Sequence, residues 1–367
     1  MASAYAISVP PQIAEPTNIH APKAPSIKAF AEAIGQAAAL PSNYNSLVDP
    51  RDKDEVDDSL AALIPVIDFS LLTSKDPEIH AKAVHDLGKA CTEWGFFLIV
   101  NHGMSDNLMK DVIEATRNFF ELPDEEKQEF SDTSAASPLR YGSSFNVQAE
   151  SVHFWRDYLK AFTHPQFSIP NKPAGFRDVA AEYCHKGREI TKELYRGMSE
   201  SLGLEANAIA DAFGFDTDFQ FYIANLYPPC PQPELALGQP PHSDNTAITL
   251  LIENGIGGLQ VYQRGKWVKV KPIPGSIMVN IGDQLELVTN GKYNGVLHRV
   301  TLNNNVTRVS LALAHGPSFD KFVCPIPEIV KDGKLEFKGM NYGEYFYNQQ
   351  STQLVGKSRL DLLRISS

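Results

Sequence analysis

The chain has 367 residues, 43% of them hydrophobic and 21% charged, with a formal net charge of −11. That length holds one large domain or two ordinary ones, and the composition is ordinary for a soluble globular protein. The acidic balance argues against a nucleic-acid partner, which calls for clustered Lys and Arg, and no run of eighteen apolar residues suits a membrane-spanning helix.

The first 25 residues are rich in Pro and Ala and are expected to be poorly ordered. They lack a cationic start and a continuous apolar core, so no secretory leader is expected. Cys91, Cys184, Cys230 and Cys324 lie far apart without a C-x-x-C pair, which predicts reduced thiols in a cytoplasmic protein. "SIKAFAEAIGQAAAL" (26–40) favours a helix ended by Pro41, and the acidic stretch 49–58 reads as a solvated linker. "LIPVIDFSLL" suggests a first strand. A helix follows over 77–95, with Val84, Leu87 and Cys91 at helical spacing and Gly95 closing it. "FFLIVNHG" reads as a second, buried strand. Ser105 then caps a helix burying Leu108, Val112, Ala115 and Phe119. A long helix is predicted over about 175–202, with Val179, Tyr183, Ile190, Leu194, Met198 and Leu202 on one side and Gly203 as its stop.

From about residue 219 the period changes from 3.6 to 2. Short β-rich runs separated by turn residues, without intervening helices, predict an antiparallel barrel or jelly roll. The expected organisation is an N-terminal extension (1–60), a mainly helical region (61–215), a β core (216–320) and a C-terminal helical extension (321–367). Two phosphate-loop look-alikes fail: "GIGGLQV" leads into a strand, and "GKS" at 356–358 has Ser351 where the loop needs glycine.

"PPHSDNTAITLL" (240–251) places His242 and Asp244 two residues apart, which in a strand puts both on one face, continued by Thr246, Ile248 and Leu250. Ten histidines and 44 acidic residues yield about one such spacing by chance, so the pair alone proves little. His298, in "NGVLHRV" at the start of a later β-run, supplies a third donor. Two histidines and one carboxylate on one face of a metal suit Fe(II) and leave positions open for chemistry, whereas structural zinc usually takes a fourth protein ligand. The other eight histidines are isolated or lie in helices without a partner ligand. Downstream, Arg308 and Ser310 form an i, i+2 pair in "TRVSLALA", suited to bidentate capture of a carboxylate. Fe(II), one aspartate, one arginine and a dianionic 2-oxo acid sum to zero charge, as a buried site requires.

With "EWGFFLIVNHG", "FFELPDEEK", "NLYPPCPQPELALG", "PHSDNTAITLL", the run from "GGLQVYQRGKW" to "VTNGKY", "HRV" and "RVSLALA" together, the sequence resembles the plant Fe(II)/2-oxoglutarate-dependent dioxygenases of small-molecule metabolism, over roughly five-sixths of its length. The resemblance implies an α+β fold, a double-stranded β-helix (jelly-roll, cupin-like) core flanked by N-terminal helices. It implies His242, Asp244 and His298 as iron ligands, Arg308 and Ser310 as holders of the distal carboxylate of 2-oxoglutarate, and Asn225 and Tyr227 as further cosubstrate contacts. O2 would be consumed, 2-oxoglutarate decarboxylated to succinate and CO2, and a small molecule hydroxylated, demethylated, desaturated or cyclised, with ascorbate as reductant. A monomer is expected. Phe221, Ile223, Ala312 and Ala314 extend the same strand faces towards the primary substrate, and the two alanines leave room for a bulky, largely apolar one. An oxidase of the ethylene-forming type, using ascorbate without 2-oxoglutarate, and a catalytically silent metabolite-binding jelly roll are the competing readings.

Overall fold

The computed structural model describes residues 26–35, 39–46, 56–131, 137–144, 152–330, 333–350 and 358–365. The expectations for residues 1–25 and for 49–55 lie outside these. The described helices are α1 (Ile27–Ile34), α2 (Pro77–Glu93), α3 (Asp106–Phe120), α4 (Asp124–Gln128), α5 (Phe176–Ser201), α6 (Ala208–Phe213), α7 (Asp283–Val288), α8 (Pro327–Val330), α9 (Tyr342–Gln350) and α10 (Ser358–Asp361). The strands are β1 (Val66–Asp68), β2 (Phe96–Val100), β3 (Leu139–Ser143), β4 (Asp157–His164), β5 (Phe219–Tyr227), β6 (Leu237–His242), β7 (Ile248–Glu253), β8 (Leu259–Gln263), β9 (Lys266–Lys269), β10 (Ile277–Ile281), β11 (His298–Thr301), β12 (Arg308–Gly316), β13 (Phe322–Val323) and β14 (Met340–Asn341).

The expected helices form, with adjusted ends. α1 stops at Gly35, whose φ of 68° ends it before Pro41. α3 is capped by the Ser105 hydroxyl, which accepts from the Leu108 amide, a contact worth about 1 kcal/mol. Its buried stripe is Leu108, Met109, Val112, Thr116, Phe119 and Phe120, with Ala115 only partly covered. The first strand is shorter than "LIPVIDFSLL", because the Asp68 carboxylate accepts from the Ser70 amide and turns the chain at Phe69–Thr73.

Eight strands form one sheet in the order β1-β2-β10-β7-β12-β5-β4-β3, antiparallel except for β1 with β2. Four of them, β1 to β4, precede residue 216, so the sheet runs across the change of period in the sequence. A second sheet runs β6-β11-β8-β9. Its β8–β9 hairpin turns through Arg264 and Gly265, both at positive φ, as a two-residue turn requires. β6 carries Pro240 and Pro241, which lack a ladder N–H and are tolerated because β6 is an edge strand. Tyr227, Leu251, Met278 and Ala312 of the large sheet share one apolar cluster with Leu259, Val261 and Val300 of the small one. The two sheets therefore face each other as a jelly roll.

Cross-strand partners lie on one face of a sheet, so the register sorts the large sheet into two sides. Val309, Leu311 and Leu313 of β12 are fully buried on the side where α3 and α5 pack. The alternate residues Arg308, Ser310, Ala312 and Ala314 pair with Tyr227, Asn225, Ile223 and Phe221 of β5, and the last three also with Glu253, Leu251 and Thr249 of β7. These line the inner face, towards the small sheet. The C-terminal segment closes the molecule by adding Tyr342, Tyr345, Phe346 and Leu360 to the main core.

Candidate active site

His242 and His298 are direct cross-strand partners on β6 and β11, with ring centroids 4.2 Å apart. The Nδ1 of His242 lies 2.8 Å from the carbonyl of Pro240, and that of His298 lies 3.3 Å from the carbonyl of Val296. A carbonyl only accepts, so each Nδ1 carries the proton and each Nε2 presents its lone pair. Asp244 Oδ1 lies 3.9 Å from Nε2 of His242 and 3.7 Å from Nε2 of His298. One donor atom from each of the three residues falls within 4.8 Å of the others, and among the described residues this is the one such group of three.

Asp244 reaches this point differently from the sequence expectation. β6 ends at His242, and Asp244 sits in the connection that crosses from the small sheet to the large one before β7 begins at Ile248. The inner side of β7 is therefore Thr249, Leu251 and Glu253, while Ile248 and Leu250 face the helix-side core, the reverse of the expected phase. Three backbone bonds tie the connection to the entry of α7: Gly282 N–H donates to Ala247 O, Asp283 N–H to Asp244 O and Gln284 N–H to Thr246 O. Gly282 is required by close approach, since a Cβ there would lie 2.1 Å from the Thr246 carbonyl oxygen. The Thr249 hydroxyl (2.8 Å) and the Asn280 amide (3.4 Å) donate to Asp244 Oδ2, which leaves Oδ1 turned to the imidazoles.

The electrostatics suit a cation. Burial, reinforced by the neighbouring His298 ring, holds His242 far below its ordinary value, so it is a neutral ligand. Burial alone would raise the Asp244 carboxyl, but the two imidazoles and the bonds from Thr249 and Asn280 prevail and keep it below the usual carboxylate range. Two imidazole nitrogens and one carboxylate, with no thiolate in the group, fit a divalent iron better than a closed zinc site.

Arg308 and Ser310 are both buried on the inner face. The guanidinium is not free, as the sequence reading assumed: its Nε (2.8 Å) and Nη2 donate to Glu253 Oε2, and Glu253 also accepts from the Gly257 amide. Zero charge summed without Glu253 is thereby corrected, since a buried carboxylate already meets Arg308. What remains is Nη1, a buried donor with no hydrogen-bond partner among the described residues. Leaving such a group unsatisfied costs about 1–3 kcal/mol or more for a charged one, so an incoming carboxylate is favoured there, by one fork arm and not two. Tyr227 lies beneath the guanidinium, which is 5.1 Å from the ring centroid, and its hydroxyl donates to Gln239. Asn225, opposite Ser310, accepts from Arg156 Nη1 at 2.7 Å.

All four expected substrate-facing residues lie on the inner face. Ala312 and Ile223 border the cluster with Tyr227 and Leu251, whereas Ala314 and Phe221 belong to the main core. Phe221 packs 4.3 Å from Phe162 and stacks 5.8 Å from Phe346. The sequence reading misses Thr249, Glu253, Asn280 and Arg156. The "ITLLIE" run held the first two, but in the wrong phase. Four of the rival histidines have partners away from this site: His80 meets Glu200, His102 the Gly275 carbonyl, His164 the Asp216 carbonyl and His315 Gln220.

A family model described as the 2OG-Fe(II) oxygenase superfamily matches residues 219–317, and one described as non-haem dioxygenase in morphine synthesis N-terminal matches 64–180. The chain is 42% identical to 2-oxoglutarate-dependent dioxygenase 19 of Oryza sativa subsp. japonica, over 82% of this chain and 90% of that one. It is 38% identical to flavanone 3-dioxygenase 2 of the same organism, over 83% and 88% of the two chains. Among solved structures it is similar to JOX2 in complex with 2OG, Fe and JA, with a TM-score of 0.82, 31% identity and coverage of 94% and 98%.

Proposed function

This chain belongs to the 2OG-Fe(II) oxygenase superfamily, and we propose that His242, Asp244 and His298 hold its iron while Arg308 and Ser310 receive the distal carboxylate of 2-oxoglutarate. It is a 2-oxoglutarate-dependent dioxygenase, an oxidoreductase. The observation that carries the residue assignment is the convergence of the two Nε2 atoms, from neighbouring strands of the small sheet, and Asp244 Oδ1, from the connection that leaves that sheet.

Iron, when bound, supplies the site at which O2 is reduced as 2-oxoglutarate is decarboxylated to succinate and CO2, and with it the oxidising power that attacks a C–H bond. The chain does the rest. The Pro240 and Val296 carbonyls keep both imidazoles turned with Nε2 inwards. Thr249 and Asn280 hold one oxygen of Asp244 so that the other stays available. Glu253 fixes the Arg308 guanidinium so that Nη1 points at a carboxylate without having to reorganise. Asn225 and Tyr227 border the cosubstrate on the inner face of β5, Asn225 held by Arg156. The apolar cluster between the sheets borders the site on its inner side.

The primary substrate is a bulky, largely apolar small molecule lying along Phe221, Ile223, Ala312 and Ala314, the class to which a flavanone belongs. Ascorbate serves as reductant, and the enzyme acts as a monomer. Its four cysteines are free thiols, which favours a reducing compartment such as the cytoplasm. No helix of the described residues is long and apolar enough to cross a membrane.

The test is succinate release from 2-oxoglutarate by the Fe(II)-loaded protein. His242→Ala and Asp244→Ala are expected to abolish it with the melting temperature of the apo protein nearly unchanged. Either variant turning over at close to the parent rate would overturn the iron assignment.

A further inference from the structure

The inner face of the large sheet continues past the site, onto β4 and β3. Register partners run in one row from Leu251 on β7 through Ala312 and Ile223 to Lys160 on β4 and Arg140 on β3. Strand spacing of about 4.8 Å puts the β4 position roughly 10 Å from Ala312, a distance a bulky substrate spans. The small sheet has four strands against eight. Along β4 the helix-side residues Leu159 and Ala161 are fully buried, whereas the inner residues Tyr158, Lys160 and Phe162 remain partly open.

Lys160 is anomalous there. Its Nζ lies 4.0 Å from the ring centroid of Phe221 and 5.0 Å from that of Phe346, and among the described residues no carboxylate or carbonyl meets it. Burial, and then the charges of Arg140 and Arg156, bring its amine down to about 7. Arg156 spends its bonds on neutral acceptors, the Ser144 carbonyl and Asn225. Arg140 and Arg156 thus gather with Lys160 on this surface, and among the described residues no acidic side chain pairs with Lys160.

We infer that Lys160 is the specificity-determining residue of the primary-substrate pocket, and that it takes an organic carboxylate whose apolar body lies over Ile223 and Ala312 towards the metal. An incoming carboxylate gives the ammonium its missing counter-ion, while Phe221 and Phe346 wall the apolar part. The inference rests on the oxygenase reading of the same site and narrows it from an apolar substrate to an apolar acid. 2-Oxoglutarate itself is excluded as the intended anion by position, since Arg308 and Ser310 lie in different rows of the register.

The test uses full-length protein loaded with Fe(II) and 2-oxoglutarate under anaerobic conditions. Binding of benzoate, cinnamate, 1-naphthylacetate and octanoate is compared with that of their methyl esters by calorimetry, in the parent, Lys160→Met and Lys160→Arg. At least one acid is expected to bind the parent about tenfold or more tightly than its ester, as a charge-assisted bond implies. Lys160→Met is expected to lose that preference while still binding the ester, and Lys160→Arg to keep it. Three results would overturn the inference: no acid preferred over its ester by the parent, a preference surviving in Lys160→Met, or weakened 2-oxoglutarate binding in Lys160→Met in place of weakened acid binding. Substrate-independent succinate release by the parent, measured in parallel, separates this from the oxygenase reading, because its absence from the parent would mean that that reading had failed.

Discussion

Substituting valine for Thr249 removes a hydroxyl and keeps the shape of the side chain. That hydroxyl is the shorter of the two bonds to Asp244 Oδ2, 2.8 Å against 3.4 Å from Asn280, so it carries most of the orientation of the carboxylate. A hydrogen bond to a charged group is worth about 1.5–3 kcal/mol. The Asp244 side chain is 20% exposed, so water recovers part of this, and the lower end, about 1.5 kcal/mol, is the appropriate figure. It corresponds to roughly tenfold weaker metal binding, within the range for groups that orient a ligand. Anaerobic Fe(II) titration, with Co(II) as a spectroscopic probe, reads the dissociation constant directly and independently of turnover. Thr249→Ser should bind as the parent does, and both variants should melt close to it because the register of β7 is untouched. An Fe(II) affinity equal to the parent in Thr249→Val would refute the orienting role.

Arg308→Lys is expected to raise the KM for 2-oxoglutarate about tenfold or more, because one ammonium cannot satisfy Glu253 and a cosubstrate carboxylate in the directions that Nε, Nη2 and Nη1 now cover. An unchanged KM removes Arg308 from cosubstrate binding. Gly282→Ala forces its Cβ against the Thr246 carbonyl, so the connection bearing Asp244 must move. Both metal affinity and melting temperature should fall, and a variant losing neither would show that the α7 entry does not position Asp244.

Much of this architecture is written in local sequence. α2, α3 and α5 follow from apolar residues at helical spacing and from their caps, and those signals act within a few residues of one another. The donor set His242, Asp244 and His298 and the pair Arg308 and Ser310 are likewise legible as residue types at given spacings. The phase of β7 is not. Nothing local marks that the strand breaks after His242, since the break exists only because the chain must leave one sheet for the other. β3 and β4 escape for a similar reason: β4 joins the sheet through β5, more than 50 residues away, β3 joins it only through β4, and their inner face mixes Lys160 and Arg140 with aromatics. The sequence by itself therefore determines the chemistry this protein can hold, because ligand identity is a property of single residues. Only the tertiary structure decides which groups meet. Glu253 on Arg308, Thr249 on Asp244 and Lys160 over Phe221 are products of strand register, which is settled by burying one whole sheet face against another.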